Sequence, residues 1–299
     1  TILRGGKVVA TCTPAEETAK SLAELMIGDV VMPANRDHST AGDVRLKLHD
    51  LTLSSSHQFG VDLSDIALEL RSGEILGVAG VAGNGQEELM EVLIGERLAR
   101  RPDAITFEGQ PIGQMGPDAR RVLGMCFAPE ERLGHAAVPA MTLIENAVLS
   151  GRVRKKLTRS GFIDHARSEE FSREIVAAFD VRTAGVEHTA GSLSGGNLQK
   201  FIMGREIMQS PLVLIAAQPT WGVDAGAAAA IHKALIALAK EGTAVLIISQ
   251  DLDELLAISD RISVIADGQL SPAQAVTNVT VESIGINMGG QADGGAVHA

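Results

Sequence analysis

The 299-residue chain is 45% apolar and carries a net charge of −11, which suits a folded core of one large or two smaller domains and excludes a disordered chain. Its longest basic run, residues 152–156, is too short to make a cationic face, so nonspecific nucleic-acid binding is excluded as a function class. Two cysteines, Cys12 and Cys126, support neither a disulfide framework nor a zinc site and fit a reducing cytosol; no apolar run spans a bilayer and no signal peptide opens the chain.

In chain order, residues 2–8 read as a hairpin interior turning at Gly5-Gly6, which marks the chain as a fragment, and residues 14–26 read as a helix with Glu16 and Glu17 in its first turn. Gly6, Met26 and Gly28 recur as Gly268, Met288 and Gly290 at one constant offset, and Leu3/Ile265, Val8/Leu270 and Leu22/Ile284 keep it. Residues 1–32 are then expected to be the tail of a preceding domain, 33–43 a linker, 44–290 a complete domain and 291–299 a disordered tail.

Alternation over 44–53 predicts an edge strand and 66–70 a second strand, with Phe59 between them. An apolar run at 75–79 opens into Gly80-Val81-Ala82-Gly83-Asn84-Gly85-Gln86-Glu87, a glycine-rich turn between strand and helix of the kind that cradles phosphate. It departs from G-x-x-x-x-G-K-[ST]: Gln86 stands at the lysine and Glu87 at the hydroxyl. The third glycine of a dinucleotide fingerprint is absent, which disfavours a Rossmann dehydrogenase. A hairpin at 105–109, a helix at 117–121 and a strand at 123–128 lead to Pro129-Glu130-Glu131-Arg132-Leu133-Gly134, and 141–185 reads as helical, with Thr142 as a cap. The basic residues at 152–156 and Arg159 read either as a solvated face or as a protein contact.

Leu193-Ser194-Gly195-Gly196-Asn197 reads as a helix start with Ser194 as N-cap and two glycines that let backbone N–H groups approach an anion. The helix continues over 198–208. A strand at 212–215 runs into Ala216-Ala217-Gln218-Pro219-Thr220, and a turn at 222–224 precedes a helix starting at Asp224 and closed by Gly242. A buried strand at 244–249 precedes Gln250-Asp251-Leu252-Asp253-Glu254; these carboxylates read as a helix start rather than a metal site.

In order and spacing, the phosphate loop, the Leu-Ser-Gly-Gly-Asn helix start followed by Gln199-Lys200 and the Pro-Thr-x-Gly-x-Asp turn resemble the nucleotide-binding domains of ABC transporters. The repeat resembles the two-domain importers for simple sugars and nucleosides, and the Ala-Ala-Gln-Pro-Thr string the second domain of the nucleoside type. Trp221 departs from the arginine usual there. The resemblance implies an α/β fold of the P-loop NTPase type with a mixed sheet core, an antiparallel β subdomain and an α-helical subdomain at about 141–208.

By the same resemblance Phe59 stands where an aromatic stacks on adenine, a packed core Phe being the alternative, and Glu130 and Arg132 stand in a segment that couples to the permease. Ala217 and Gln218 occupy the places of the Mg²⁺ and water-polarising carboxylates, and Gln250 that of a histidine on the γ-phosphate. The nucleotide residues implied are Gly80, Gly83, Asn84, Gly85, Gln86, Glu87 and Asp224 here, with Ser194, Gly195, Gly196 and Asn197 acting in trans. Partners implied are a first nucleotide-binding domain on the same polypeptide, membrane permeases and, indirectly, a solute-binding protein, on the cytoplasmic face of the plasma membrane. ATP is the cofactor, with Mg²⁺ only at the partner domain's site. The competing classes are a non-transport ABC-type ATPase and a regulatory nucleotide-binding module.

Overall fold

The computed structural model describes residues 2–4, 7–12, 41–55 and 58–288. The expected turn at Gly5-Gly6, the helix at 14–26, residues 33–40 of the linker and the tail at 291–299 lie outside them. Strands β1 (Ile2–Arg4) and β2 (Lys7–Ala10) pair antiparallel, with Arg4 opposite Lys7.

The next elements are β3 (Val44–Leu53), β4 (Leu63–Arg71), β5 (Ile75–Ala79), α1 (Gln86–Ile94), β6 (Ile105–Phe107), β7 (Gln110–Pro111), α2 (Pro117–Leu123) and β8 (Met125–Ala128). The sheet order β4-β3-β6-β7 is antiparallel throughout. Strand β3 is therefore interior, against the expectation of an edge strand: β6 pairs with its far side from more than fifty residues downstream, a contact that alternation in one segment cannot show. Leu123, expected to start a strand, ends α2 instead, because Gly124 at φ 111° turns the chain and bonds back to Arg120 and Arg121.

There follow α3 (Leu143–Gly151), β9 (Thr158–Arg159), β10 (Phe162–Ile163), α4 (His165–Ala178) and α5 (Gly195–Ile207). Thr142 accepts from Glu145 N–H while the Glu145 carboxylate accepts from Thr142 N–H, so α3 starts on a capping box. The stretch 141–185 is not helical throughout: Ser160 and Gly161, both at positive φ, turn β9 into β10. The basic cluster is a solvated face only in part: Arg152, Lys156 and Arg159 are exposed, Arg154 and Lys155 half-buried. Arg154 donates to the carbonyls of Gln209 and Ser210, Arg152 pairs with Asp118, and the Lys155 ammonium lies 4.9 Å from the Phe171 ring centroid.

The last elements are β11 (Val213–Ala217), α6 (Ala225–Lys240), β12 (Ala244–Ser249), α7 (Leu252–Ile258), β13 (Arg261–Ala266), β14 (Gln269–Leu270), β15 (Gln274–Ala275) and α8 (Val281–Met288). The core sheet runs β14-β13-β5-β12-β11-β8, with β15 beside β13; the five strands from β13 to β8 are parallel. The β13–β14 hairpin places Ala266 opposite Gln269 and Ile265 opposite Leu270, the same register that Arg4/Lys7 and Leu3/Val8 have in β1–β2.

Both faces of the parallel sheet are covered, which is why its strands are continuous apolar runs. Leu214, Ala216, Val245 and Ile247 face the helices α3 to α7, while their neighbours Val213, Ile215, Leu246 and Ile248 face α1 and the antiparallel sheet. The period-two alternation sorts each strand between two cores.

Candidate functional site

The parallel strands β5, β11 and β12 end together, and the loops that follow them line one cavity of about 740 Å³. It gathers Phe59, Gly83, Gly85, Gln86, Glu87, Glu130, Ala217, Gln218 and Gln250. A crevice at the carboxyl ends of parallel strands is where such sheets place ligands. Phe59 is 92% exposed, so it is an open aromatic face at the cavity and not a packed core residue.

Gly85 takes φ 105° as the N-cap of α1, a left-handed conformation that lets the loop fold over the helix start. Gly80 has no room for a side chain: a Cβ there would meet Gln86 Nε2 at 2.4 Å and the Ile265 carbonyl at 2.9 Å. Asn84 is pinned from outside, its Oδ1 accepting from Asp267 N–H and its carbonyl from Gly268 N–H, each at 3.0 Å.

Gln86 folds back into the loop. Its Oε1 accepts from Asn84 N–H at 3.0 Å and its Nε2 donates to the Val81 carbonyl at 2.8 Å. One of the loop N–H groups, that of Asn84, is thus already bonded to a side-chain amide. Burial, together with the nearby Glu87 carboxylate, pushes the Glu130 carboxyl above its ordinary range. Glu88, also in the first turn of α1, is buried and accepts from Val61 N–H at 2.9 Å.

Mg²⁺ with a triphosphate fits this lining poorly. The loop supplies no lysine and no hydroxyl, Ala217 and Gln218 supply no carboxylate, and among the described residues no group of three or more His, Cys, Asp or Glu is placed to hold a metal ion. Gln218 sits at φ 49°, held by its N–H to the Ile248 carbonyl, with its side-chain amide 3.2 Å from Ser249 Oγ.

Ser194 and Asn197 lie apart, lining a separate cavity of about 570 Å³ with Arg182, His188 and Leu193; Gly195 and Gly196 line neither cavity. Ser194 is the N-cap of α5 by backbone, but its hydroxyl caps nothing; it accepts from Asn197 Nδ2 at 2.9 Å. Ser194 and Gly195 are exposed, leaving the helix start open to solvent. Arg132 lines neither cavity: it reaches the α5 start, donating to the Gly195 carbonyl at 2.9 Å, and lies 5.8 Å from the Trp221 ring. Asp224 lines neither cavity and caps α6, accepting from Ala227 N–H at 2.9 Å.

Two supports escaped the sequence reading. Gln199 is buried in α5 and donates to the carbonyls of Gln218 and Pro219 at 3.4 and 2.9 Å, tying the helix to the turn after β11. Glu254, expected only as dipole-favourable charge, is a buried acceptor for Thr220 Oγ1 at 2.6 Å and Ser249 Oγ at 2.8 Å, with His232 Nε2 at 3.0 Å. Nothing in the spacing of these residues marks the convergence, because three separate elements bring them together.

A family model described as ABC transporter matches residues 63–221. Among curated relatives, the nucleoside import ATP-binding protein NupA of Lactococcus lactis is 38% identical over 291 residues, covering 97% of this chain and 57% of the relative. The glucose import ATP-binding protein TsgD13 of Haloferax volcanii is 35% identical, covering 98% of this chain and 54% of the relative. The chain spans about half the length of the curated relatives it matches. A solved dimer of the ATP-binding cassette MJ0796 bound to ADP and Pi superposes with a TM-score of 0.66 at 19% identity, covering 77% of this chain and 98% of that one, which establishes a shared fold. Its phosphate loop, Leu-Ser-Gly-Gly-Asn helix start and doubly covered parallel sheet place this chain in the ABC transporter family, as an ATP-binding domain.

Proposed function

We propose that the chain is the second, altered nucleotide-binding half of a two-domain importer ATPase for nucleosides or simple sugars. In this reading the open α5 start, Ser194 to Asn197, completes the ATP and Mg²⁺ site of a first domain on the same polypeptide, while the home pocket is hydrolytically silent. The observation that carries it is the contrast between the two sites. The helix start keeps Ser194 and Gly195 exposed, while the glycine-rich loop offers no lysine or hydroxyl and the end of β11 no paired carboxylates. The matching registers of β1–β2 and β13–β14 support a repeated unit, and the names of the relatives support import.

The partners in this proposal are membrane permeases and, through them, a solute-binding protein, with the domain peripheral on the cytoplasmic face. No helix among the described residues is long and apolar enough to cross a membrane, so anchoring rests on the permease. Loss of one preorganised electrostatic contact costs roughly 10²- to 10³-fold in rate, so the several losses here leave the home site with no measurable turnover. The test is ATP turnover by this chain at saturating Mg-ATP, expected at background; a rate abolished by Gln86→Ala overturns the reading. In the complete importer, Ser194→Arg is expected to stop uptake without unfolding the protein, and normal uptake would remove the role of α5.

A further inference from the structure

The altered pocket keeps the shape of a ligand site while its chemistry has changed sign. Its volume of about 740 Å³ lies within the range of small-molecule sites. An aromatic face, Phe59, stands almost wholly exposed beside it, a costly disposition for a large apolar side chain unless something flat covers it. Glu87, Glu130 and Glu131 line the interior and no lysine or arginine does. Within the loop, the Asn84 N–H is taken by Gln86 Oε1 at 3.0 Å.

The acidic lining and the bonded Asn84 N–H argue against an anion, and none of the features argues against a base and a ribose. Carboxylates accept from sugar hydroxyls, and burial together with the nearby Glu87 charge already raises the Glu130 carboxyl above its ordinary range. A phosphate chain would have to displace the Gln86 amide and sit beside Glu87.

We propose that this pocket binds a phosphate-free nucleoside, its base on Phe59 and its ribose toward Glu87 and Glu130, in preference to a nucleotide. The proposal rests on the reading of the pocket as hydrolytically silent and adds the ligand class that it takes instead.

Trp221 lines the cavity and is the chain's single tryptophan, so its fluorescence reports occupancy directly. Titration of the 299-residue chain with adenosine, AMP, Mg-ATP and ribose is expected to give saturable quenching by adenosine, weaker binding by AMP, and binding of Mg-ATP weaker than adenosine by about tenfold or more. Phe59→Ala, at an exposed position, is expected to weaken adenosine by about tenfold while the circular dichroism spectrum stays unchanged, with Phe59→Tyr restoring it. The double substitution Gln86→Lys with Glu87→Ser is expected to reverse the order between adenosine and Mg-ATP. The proposal is overturned if Mg-ATP binds more tightly than adenosine, if ribose alone binds as well as adenosine, or if adenosine does not bind. Turnover measured on the same samples separates the two readings: hydrolysis overturns the silent-site assignment, whereas the wrong binding order without hydrolysis overturns the nucleoside assignment alone.

Discussion

Arg132 Nη1 donates to the carbonyl oxygen of Gly195 at 2.9 Å, so the loop after β8 holds the first residue of α5 by a charged hydrogen bond. The same guanidinium lies over Trp221, which puts three loops of different origin in contact at one point.

Arg132→Ala is expected to cost about 1 kcal/mol or less of global stability, since the contact is partly exposed. The sensitive readout is hydrogen exchange at 195–198, expected to accelerate. Arg132→Lys is not expected to restore protection, because an ammonium cannot both bond the carbonyl and lie flat on the indole.

Glu206 is fully buried between Arg121 and Arg205, at 2.8 Å from each. Burial alone would raise its carboxyl, but the two guanidinium groups outweigh it and hold the pKa down to about 2. Arg205 also donates to the carbonyls of Asn146 and Ala136, so the pair joins α5 to α3 and to the loop that carries Arg132. With a folded-state pKa below the ordinary 4.5, the stabilisation is complete above 4.5 and is lost as pH falls toward 2. Glu206→Gln is expected to cost about 3–5 kcal/mol at neutral pH in urea unfolding and to flatten that acid limb.

Arg120 is fully buried among backbone carbonyls. It donates to Val92 at 2.6 Å, Leu93 at 2.7 Å, Met115 at 2.9 Å and Ile112 at 3.1 Å. Two of these end α1, the helix that begins at the phosphate loop, so the cation supplies its C-terminal charge. Burial lowers its pKa to about 10, which still leaves it charged at neutral pH. Arg120→Met is expected to cost about 3 kcal/mol or more by orphaning those carbonyls, measured as a lowered urea midpoint at unchanged slope.

Removing the acceptor common to Thr220, Ser249 and His232 should loosen the turn between β11 and α6. Glu254→Ala is expected to cost about 2 kcal/mol and to increase hydrogen exchange at 219–224 before any other loop. An unchanged exchange rate there would show that Glu254 does not hold the turn.

The sequence by itself determined the apolar core strands, the glycine turns and most of the helix caps, because each is a local matter of period, φ or a single side-chain bond; the cap expected of Ser194 is the exception, its hydroxyl taking Asn197 Nδ2 instead. Thr142, Asp224 and Asp251 cap where their sequence places predict, and residues 244–249 form the strand read from their apolar run. It also fixed which residue types stand in the phosphate loop, and hence that no lysine or hydroxyl is offered there. Tertiary structure decided what lies beyond any window of sequence: that β3 is flanked on both sides, that Phe59 is bare while Arg120 is sealed, and that Gln86 turns inward to bond its own loop. Those outcomes depend on partners far along the chain, since burial and hydrogen-bond satisfaction belong to the assembled surroundings of a residue and not to its neighbours in order.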